Sequence, residues 1–430
     1  MTLLTLWFSK IMLWLLHALG KNGSALPGLI IEKLNPKFLK AMLNGLPQGV
    51  LVITGTNGKT TTTKVISELF EMQGLKVLTN QTGSNFVRGI IATIIAKSPW
   101  SGRLPYDIAV FEQDEAHAIH FAELVQPKGV VGLNVMRDQM DRFGEIDNTA
   151  SLIGKLAEQA SDWVVFNNND PRLGKIGSQL TNAPVSWFGH SQGLQADFLS
   201  DDQYHHADKL DFEQAVSDPQ VLLTAYDGGG AVFNYQGREF STKLLLDGSH
   251  NAINSAAAMA TVLQVLPDTS FAKLVDDLSN IEPAFGRGER IILKNGSEVR
   301  LQLVKNPSGF THSLRLLKLS DYDTAGLVIN DDYADGRDVS WLWDVDFHNS
   351  LQAIPSIICG GTRGYDMAVR LKYDEIQSDV KIEPADFITQ LIEPFSGKPG
   401  RIMLFCTYTA MLDLRRQLRQ HSTTMAKVGL

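Results

Sequence analysis

Gly55-Thr56-Asn57-Gly58-Lys59-Thr60-Thr61 is the stretch whose reading decides the fold. The apolar run Val50-Leu51-Val52-Ile53 leads into it, and Val65, Ile66, Leu69 and Phe70 follow at helical spacing. The order is therefore strand, glycine turn, helix. Such a turn lets backbone N–H groups converge on phosphate oxygens, and the helix N-terminus adds positive potential. Lys59 is placed to reach the terminal phosphates of a nucleotide, and the Thr60 hydroxyl to ligate magnesium. The full phosphate-loop pattern has a further glycine where Ile53 stands, so this is a shortened variant.

Outward from that loop, short apolar runs alternate with helical patterns. Strands are expected at Val50–Thr54, Lys76–Thr79, Ile108–Phe111, Gly129–Leu133, Trp163–Asn167 and Val185–Phe188. Strands alternating with helices imply an α/β fold, a parallel sheet with helices on both faces. From about Gly189 to Gly237 the chain turns polar and acidic, which reads as an insertion or small β element. His205 and His206 within it are adjacent, poor spacing for two metal ligands on one helix face. A second α/β unit follows, with strands expected at Arg300–Val304, Gly326–Ile329, Ser356–Cys359 and Arg401–Phe405. The organisation expected is an N-terminal helical segment at 1–45, a central nucleotide-binding domain at 46–295 with its insertion at about 189–237, and a C-terminal Rossmann-like α/β domain at 296–430.

The 430-residue length suits two or three cores. A net charge of −8 argues against a general nucleic-acid binder, because no basic field releases counterions. Cys359 and Cys406, the two cysteines, sit in apolar strand-like runs. They read as buried thiols in a reducing compartment and cannot form a four-cysteine zinc site. At the N-terminus, Leu4, Trp7, Phe8, Ile11, Leu15 and Leu19 fall near helical spacing. The stretch is short for a membrane span, carries Lys10 in its middle and shows no cleavage site. Two readings fit it: a helix packed on its own domain, or one lying at a membrane surface.

Several polar clusters close predicted strands. Glu112, in Phe111-Glu112-Gln113-Asp114-Glu115, stands where ligands bind parallel sheets and can supply a second oxygen to magnesium. Asp114 and Glu115 fit better as caps of the next helix. The charged run Asn134–Phe143 follows the next strand. His250-Asn251-Ala252-Ile253-Asn254 opens a small-residue helix, and Asn254 has the donor and acceptor pair that reads an adenine edge. Arg287, in Gly286-Arg287-Gly288-Glu289, can clamp phosphate or carboxylate, or belong to a surface hinge. Asn330 to Asp346 packs six aspartates with Trp341 and Trp343 into one loop. An exposed loop of that kind suggests a partner surface or a catalytic carboxylate.

These motifs together resemble the MurT family, the Mur-ligase-type subunits of lipid II isoglutaminyl synthase. The resemblance spans nearly the whole chain. It is carried by GTNGKTTTT (Gly55–Thr63), NQTGSN (Asn80–Asn85), RDQMDRFGEID (Arg137–Asp147) and NNNDP (Asn167–Pro171). It continues through HNAIN (His250–Asn254), FGRGE (Phe285–Glu289), KNPSG (Lys305–Gly309) and, most discriminating, DDYADGRDVSW (Asp331–Trp341).

The resemblance implies ATP- and Mg2+-dependent amidation through an acyl phosphate. The substrate would be the D-glutamate α-carboxyl of the lipid II stem peptide, and the product D-isoglutamine. Ammonia would come from a GatD-like glutamine amidotransferase partner. By motif, Gly55 to Thr61 would bind ATP. Lys59 and Thr60 would meet phosphates and magnesium, Glu112 magnesium, Asn254 adenine and Arg287 the nucleotide side. Asp338 would complete the Cys-His pair of the partner. The location implied is cytoplasmic, with contact at the inner membrane face left open. The chain departs from relatives with a four-cysteine zinc ribbon, since the insertion has no cysteine. Gln139 stands where muramyl-peptide ligases have a metal-binding histidine, and Lys155 only lies near the place of a carbamylated lysine. The rival readings are a stand-alone Mur or folylpolyglutamate-type amino-acid ligase, and a non-enzymatic ATP switch.

Overall fold

A computed structural model describes residues 2–18, 25–80, 86–136, 146–198, 218–283, 286–319 and 321–424. Gln139, His205, His206, Phe285 and most of the NQTGSN and RDQMDRFGEID motifs lie outside the described residues. The chain divides into two compact units. The first comprises Met1–Met136, Glu145–Leu244 and Asn251–Ile281, and the second Arg137–Gly144, Leu245–His250 and Glu282–Leu430.

In the first unit, helices α1 (Thr2–Ala18), α2 (Ala25–Leu34) and α3 (Phe38–Leu43) precede strand β1 (Val50–Thr54) and helix α4 (Lys59–Met72). Strand β2 (Val77–Thr79), helix α5 (Val87–Lys97), strand β3 (Ile108–Glu112), helix α6 (Glu115–Leu124) and strand β4 (Gly129–Gly132) follow. Strands β5 (Trp163–Asn167) and β6 (Val185–His190) continue the alternation. Strands β7 (Val221–Tyr226), β8 (Gly230–Tyr235) and β9 (Arg238–Lys243) complete the nine-stranded sheet, in the order β2-β3-β1-β4-β5-β6-β7-β8-β9. Pairing is parallel from β2 to β7 and antiparallel from β7 to β9. The insertion thus includes an antiparallel extension of the sheet. Every residue of β1 and β3 is buried, as expected of parallel strands covered on both faces. Val52, Phe111, Val130 and Phe166 pack with Ile90, Ile94, Phe121 and Ile153 in one core.

The chain leaves β1 between β3 and β4, its two neighbours in the sheet. Strand order reverses there, and that point opens a crevice at the C-terminal strand ends. The glycine loop follows β1 at this place.

The second unit holds β10 (Arg287–Leu293), β11 (Glu298–Leu303), β12 (Thr324–Val328), β13 (Ser356–Gly360), β14 (Asp379–Lys381), β15 (Arg401–Cys406) and β16 (Ser422–Thr424). They form a sheet ordered β14-β13-β12-β15-β11-β10-β16, parallel from β14 to β11. One face packs Phe310, Phe347 and Phe405, the other Phe387, Leu404 and Leu414. Cys359 and Cys406 are fully buried, and burial pushes the Cys359 thiol up to about 11. The domain boundary expected near Asn295 falls inside the hairpin between β10 and β11, which pair antiparallel from Arg287 to Ile292. A hairpin cannot be divided between two cores, so Glu282 is where the second unit resumes.

Candidate functional site: a braced phosphate loop

The loop leaves β1 through Gly55, at φ +126°, and enters α4 through Gly58, at φ +88°. Gly58 is required twice over. Its φ lies in the left-handed region, and a Cβ there would sit 2.5 Å from Oδ1 of Asn254. The packing that forbids a side chain at Gly58 also sets the Asn254 amide against the loop. Asn254 lies on the helix Ser249–Val265, whose alanine- and serine-rich face is buried throughout its middle.

Lys59 opens α4, and its side chain turns back over the loop. Its Nζ donates to the carbonyl of Gly55 at 2.5 Å and to Oε1 of Glu115 at 3.2 Å. Lys59 is 8% exposed and Glu115 3%. Asp114 caps α6 by accepting from the N–H of Ala116, as expected of a residue before a helix. Glu115 does more than sit favourably in the helix's first turn. It is the buried counter-charge of Lys59, a role the sequence did not reveal.

The loop is strapped to the segment after β4. The N–H of Thr56 donates to the carbonyl of Asn134 at 3.1 Å, and the N–H of Asn57 to Oδ1 of Asn134 at 2.9 Å. Nδ2 of Asn134 returns a bond to the carbonyl of Asn57 at 3.1 Å. The Thr56 hydroxyl accepts from the N–H of Met136 and donates to its carbonyl. That strap is held in turn by the NNNDP run. Asp170 accepts from the N–H of Val135 at 2.7 Å while capping the helix Pro171–Gln179 through Arg172 and Leu173. Asn167 donates to the carbonyl of Leu133 at 3.1 Å. Burial pushes the Asp170 carboxyl up to about 6, although three backbone donors and Arg172 oppose the shift. The motif is thus a brace two layers behind the phosphate loop.

Glu112 ends β3 in register with Ile53 of β1. Asn80 pins its backbone from both sides, accepting from its N–H at 3.1 Å and donating to its carbonyl at 3.0 Å. Glu112 is 4% exposed, and its Oε2 has no hydrogen-bond partner. A buried carboxylate oxygen without a donor is costly unless something binds it. Together with the Thr60 hydroxyl in the first turn of α4, it offers the hard oxygen donors that suit Mg2+, which takes few protein ligands and completes its shell with phosphate and water. Among the described residues no group of three or more His, Cys, Asp or Glu is arranged to hold a metal by itself.

Arg287 and Asp338 belong to the second unit. Arg287 begins β10, so it is a strand residue and not part of a surface hinge. It stands near His250, whose imidazole is pushed down to about 4 by desolvation and then by the charges of Arg287 and Arg315. His312 lies 6.1 Å from His250 between ring centres, is buried, and is driven down to about 3. Both imidazoles are therefore neutral at pH 7. His312 itself went unnoticed in the sequence, where a lone histidine in an apolar helix gives no signal.

Asp338 lies in the loop after β12, half-buried, its Oδ1 accepting from the N–H of Ser340 at 2.8 Å. It lines a cleft of about 450 Å³ with Arg337, Trp343, Arg363, Tyr365 and Arg370. The loop is less exposed than its composition suggested. Trp341 is buried in the core, and Asp335 is buried with its carboxylate on the N–H and hydroxyl of Thr409. Arg370 fastens the segment from below, donating to the carbonyls of Leu342 and Val345. Trp343, Tyr365 and Val369 remain exposed at the cleft.

Two family models match the chain. Residues 53–262 match the Mur ligase middle domain, and residues 303–411 the MurT ligase C-terminal family. The chain is 30% identical to the MurT subunit of lipid II isoglutaminyl synthase (glutamine-hydrolyzing) of Streptococcus pneumoniae, over 94% of each chain. It is 27% identical to the subunit of the same name from Staphylococcus aureus, again over 94% of each. Among solved structures, the MurF ligase of Thermotoga maritima in complex with ADP superposes with a TM-score of 0.67 at 17% identity, covering 90% of this chain and 82% of that one. MurF of Acinetobacter baumannii gives 0.67 at 17% identity, over 91% and 81%.

Proposed function

The chain belongs to the MurT family of Mur-type ligases, and from that premise we propose that it amidates the D-glutamate α-carboxyl of the lipid II stem peptide, using ATP and ammonia, to give D-isoglutamine. The observation that carries this reading is that one chain joins a braced phosphate loop, with its buried Lys59–Glu115 pair, to a MurT-type C-terminal unit. The reaction runs in two steps. A carboxylate oxygen of the substrate attacks the γ-phosphorus of ATP and ADP leaves. The nitrogen of ammonia then attacks the acyl carbon, phosphate departs, and the nitrogen loses a proton.

In this account Lys59 delivers positive charge to the transferring phosphoryl group, where charge spreads over the equatorial oxygens. The N–H groups of the Gly55–Thr61 loop and the start of α4 cradle the phosphates. Thr60 and Glu112 would hold Mg2+, which supplies charge neutralisation on the β- and γ-phosphates when bound. Asn254 serves the nucleotide from its place against Gly58, and the assignment of Arg287 to the nucleotide rests on the FGRGE motif.

Ammonia is mostly protonated in bulk at neutral pH, so we assign its delivery to a docked GatD-like glutaminase. What supports this is the word "subunit" in the names of the relatives and the aromatic cleft around Asp338. Asp338 would orient the imidazole of the partner's Cys-His pair, the part an acidic residue plays in a catalytic triad. The chain would work in the cytoplasm, beside the membrane that carries its lipid-linked substrate. The reading is tested by incubating lipid II with ATP and either ammonium salt or glutamine plus partner. Mass spectrometry should find a carboxamide in place of the D-glutamate α-carboxylate. An amino acid joined there instead would show a stand-alone ligase.

A further inference from the structure

Helix α1 is apolar over most of its circumference, interrupted by Thr5, Ser9 and Lys10, yet its described side chains are covered on one side only. Leu6 and Ser9 are buried on that side, and Leu13 packs against the core of the first unit. The opposite side carries Leu4, Trp7, Phe8, Ile11 and Trp14, which span an arc of roughly 120° at 100° per residue. Phe8 is 56% exposed, Ile11 52% and Trp14 68%. A helix that is hydrophobic all round is ordinarily enclosed, in a core or in lipid. Trp100, 60% exposed, extends the same surface. The indole N–H of Trp7 donates to its carbonyl at 2.8 Å, and the ammonium of Lys10 lies 5.5 Å from its ring centre.

The charge beside this surface is opposite to that of the whole protein. Residues 1–45 hold five lysines and one glutamate, a net of +4 in a chain of net −8. Asn35 donates to the Thr5 hydroxyl at 3.1 Å, which brings the turn carrying exposed Lys33, Leu34 and Lys37 against the first turns of α1. No helix among the described residues is long and apolar enough to cross a membrane. We propose that this face of α1, with Trp100 and the flanking lysines, is a docking surface for an anionic lipid bilayer. The helix lies in the headgroup layer with its tryptophans at the interface, and its other side stays on the protein. The proposal is independent of the amidation chemistry, because vesicle binding is measured without turnover.

The experiment is cosedimentation of the full chain with vesicles of phosphatidylcholine alone or mixed with phosphatidylglycerol, at low and high salt. Binding should favour the anionic vesicles and weaken as salt screens the lysines. Phe8→Ser/Ile11→Ser/Trp14→Ser should lower partitioning by at least about tenfold, since the buried apolar area is its main source. All three side chains are exposed, so circular dichroism and ATP hydrolysis should match the parent. Lys33→Glu/Lys37→Glu should lose the preference for anionic vesicles only. Failure of the parent to sediment, or equal sedimentation of the triple-serine variant, would overturn the proposal. So would self-association or glutaminase binding that the triple-serine change abolishes, because a protein surface would then cover this face.

Discussion

The ammonium of Lys59 and the carboxylate of Glu115 form a buried ion pair 56 residues apart in sequence, with Nζ and Oε1 at 3.2 Å. A surface pair of this kind is worth little, whereas breaking a buried one strands a charge in a low-dielectric site. The pair fixes the direction of the side chain that we propose meets the nucleotide's terminal phosphates. Preorganised charge costs no rearrangement when the transition state forms.

Replacing Glu115 therefore acts on stability as well as on activity. Glu115→Ala should destabilise the protein by about 3–5 kcal/mol, the cost of leaving a buried partner unpaired. Lys59→Met/Glu115→Leu should recover most of that loss, because neither charge remains. Urea unfolding of the three variants checks this. A loss in Glu115→Ala no larger than in an exposed control such as Glu158→Ala would refute the pairing.

Lys59→Ala and Thr60→Ala should each lower amidation by at least about a hundredfold, the scale for losing a key electrostatic group. Glu112→Gln should mimic Thr60→Ala and respond to raised magnesium, because the proposal gives both residues to the same Mg2+ oxygen set. Initial rates against magnesium concentration distinguish these cases. Near-normal turnover in Lys59→Ala and Thr60→Ala would remove the phosphate-loop assignment.

The buried imidazole of His312 sets a pH dependence in the second unit. Its folded value, about 3, lies below the ordinary 6.5. The unfolded chain thus binds the extra proton first, and stability present above pH 6.5 is lost as pH falls. Between pH 6.5 and 4.5 the loss from this group should be roughly 2–3 kcal/mol at 1.36 kcal/mol per unit. His312→Gln should flatten the stability profile by that amount. Denaturation midpoints measured at half-unit steps give the comparison, and identical slopes would contradict it.

Much of this architecture is visible in the sequence. Strands β1 and β5 occupy the apolar runs between turn signals that the sequence marks, and the phosphate loop joins strand to helix as its glycines require. Strand β10 was not visible, because Arg287-Gly288-Glu289-Arg290 reads as a charged hinge. Its Glu289 is nevertheless buried against Arg415, a partner far along the chain. The same limit hid Glu115. A carboxylate in the first turn of a helix has a sufficient local explanation in the helix dipole, and its contact with Lys59 exists only once β1 and β3 are neighbours. Asp170 and Asn167 carried a recognisable motif, but their role as a brace for the segment after β4 depends on register between strands. Of the two readings of the N-terminal helix, packing on its own domain describes the side of Leu6, Ser9 and Leu13, and the membrane surface is our proposal for the other side.

Asp338→Asn should separate the two ammonia sources. Amidation from glutamine should collapse, because the partner's imidazole loses its acceptor. Amidation from ammonium salt should persist, since Lys59, Thr60 and Glu112 lie in the other unit. The complex with the glutaminase should survive a carboxylate-to-amide change. Equal loss from both sources would place Asp338 in ligase chemistry or in folding.

On the proposed function, ATP cleavage by this chain is spent on making an amide. The most direct measurement follows ADP and amidated lipid II together, with ammonium salt as nitrogen source, in the parent and in Lys59→Ala. Equal amounts of ADP and amide are expected in the parent, with little of either without lipid II and little of either in Lys59→Ala. ADP release that proceeds at full rate without lipid II, with no amide formed, would make the protein an ATP-driven switch and contradict the account.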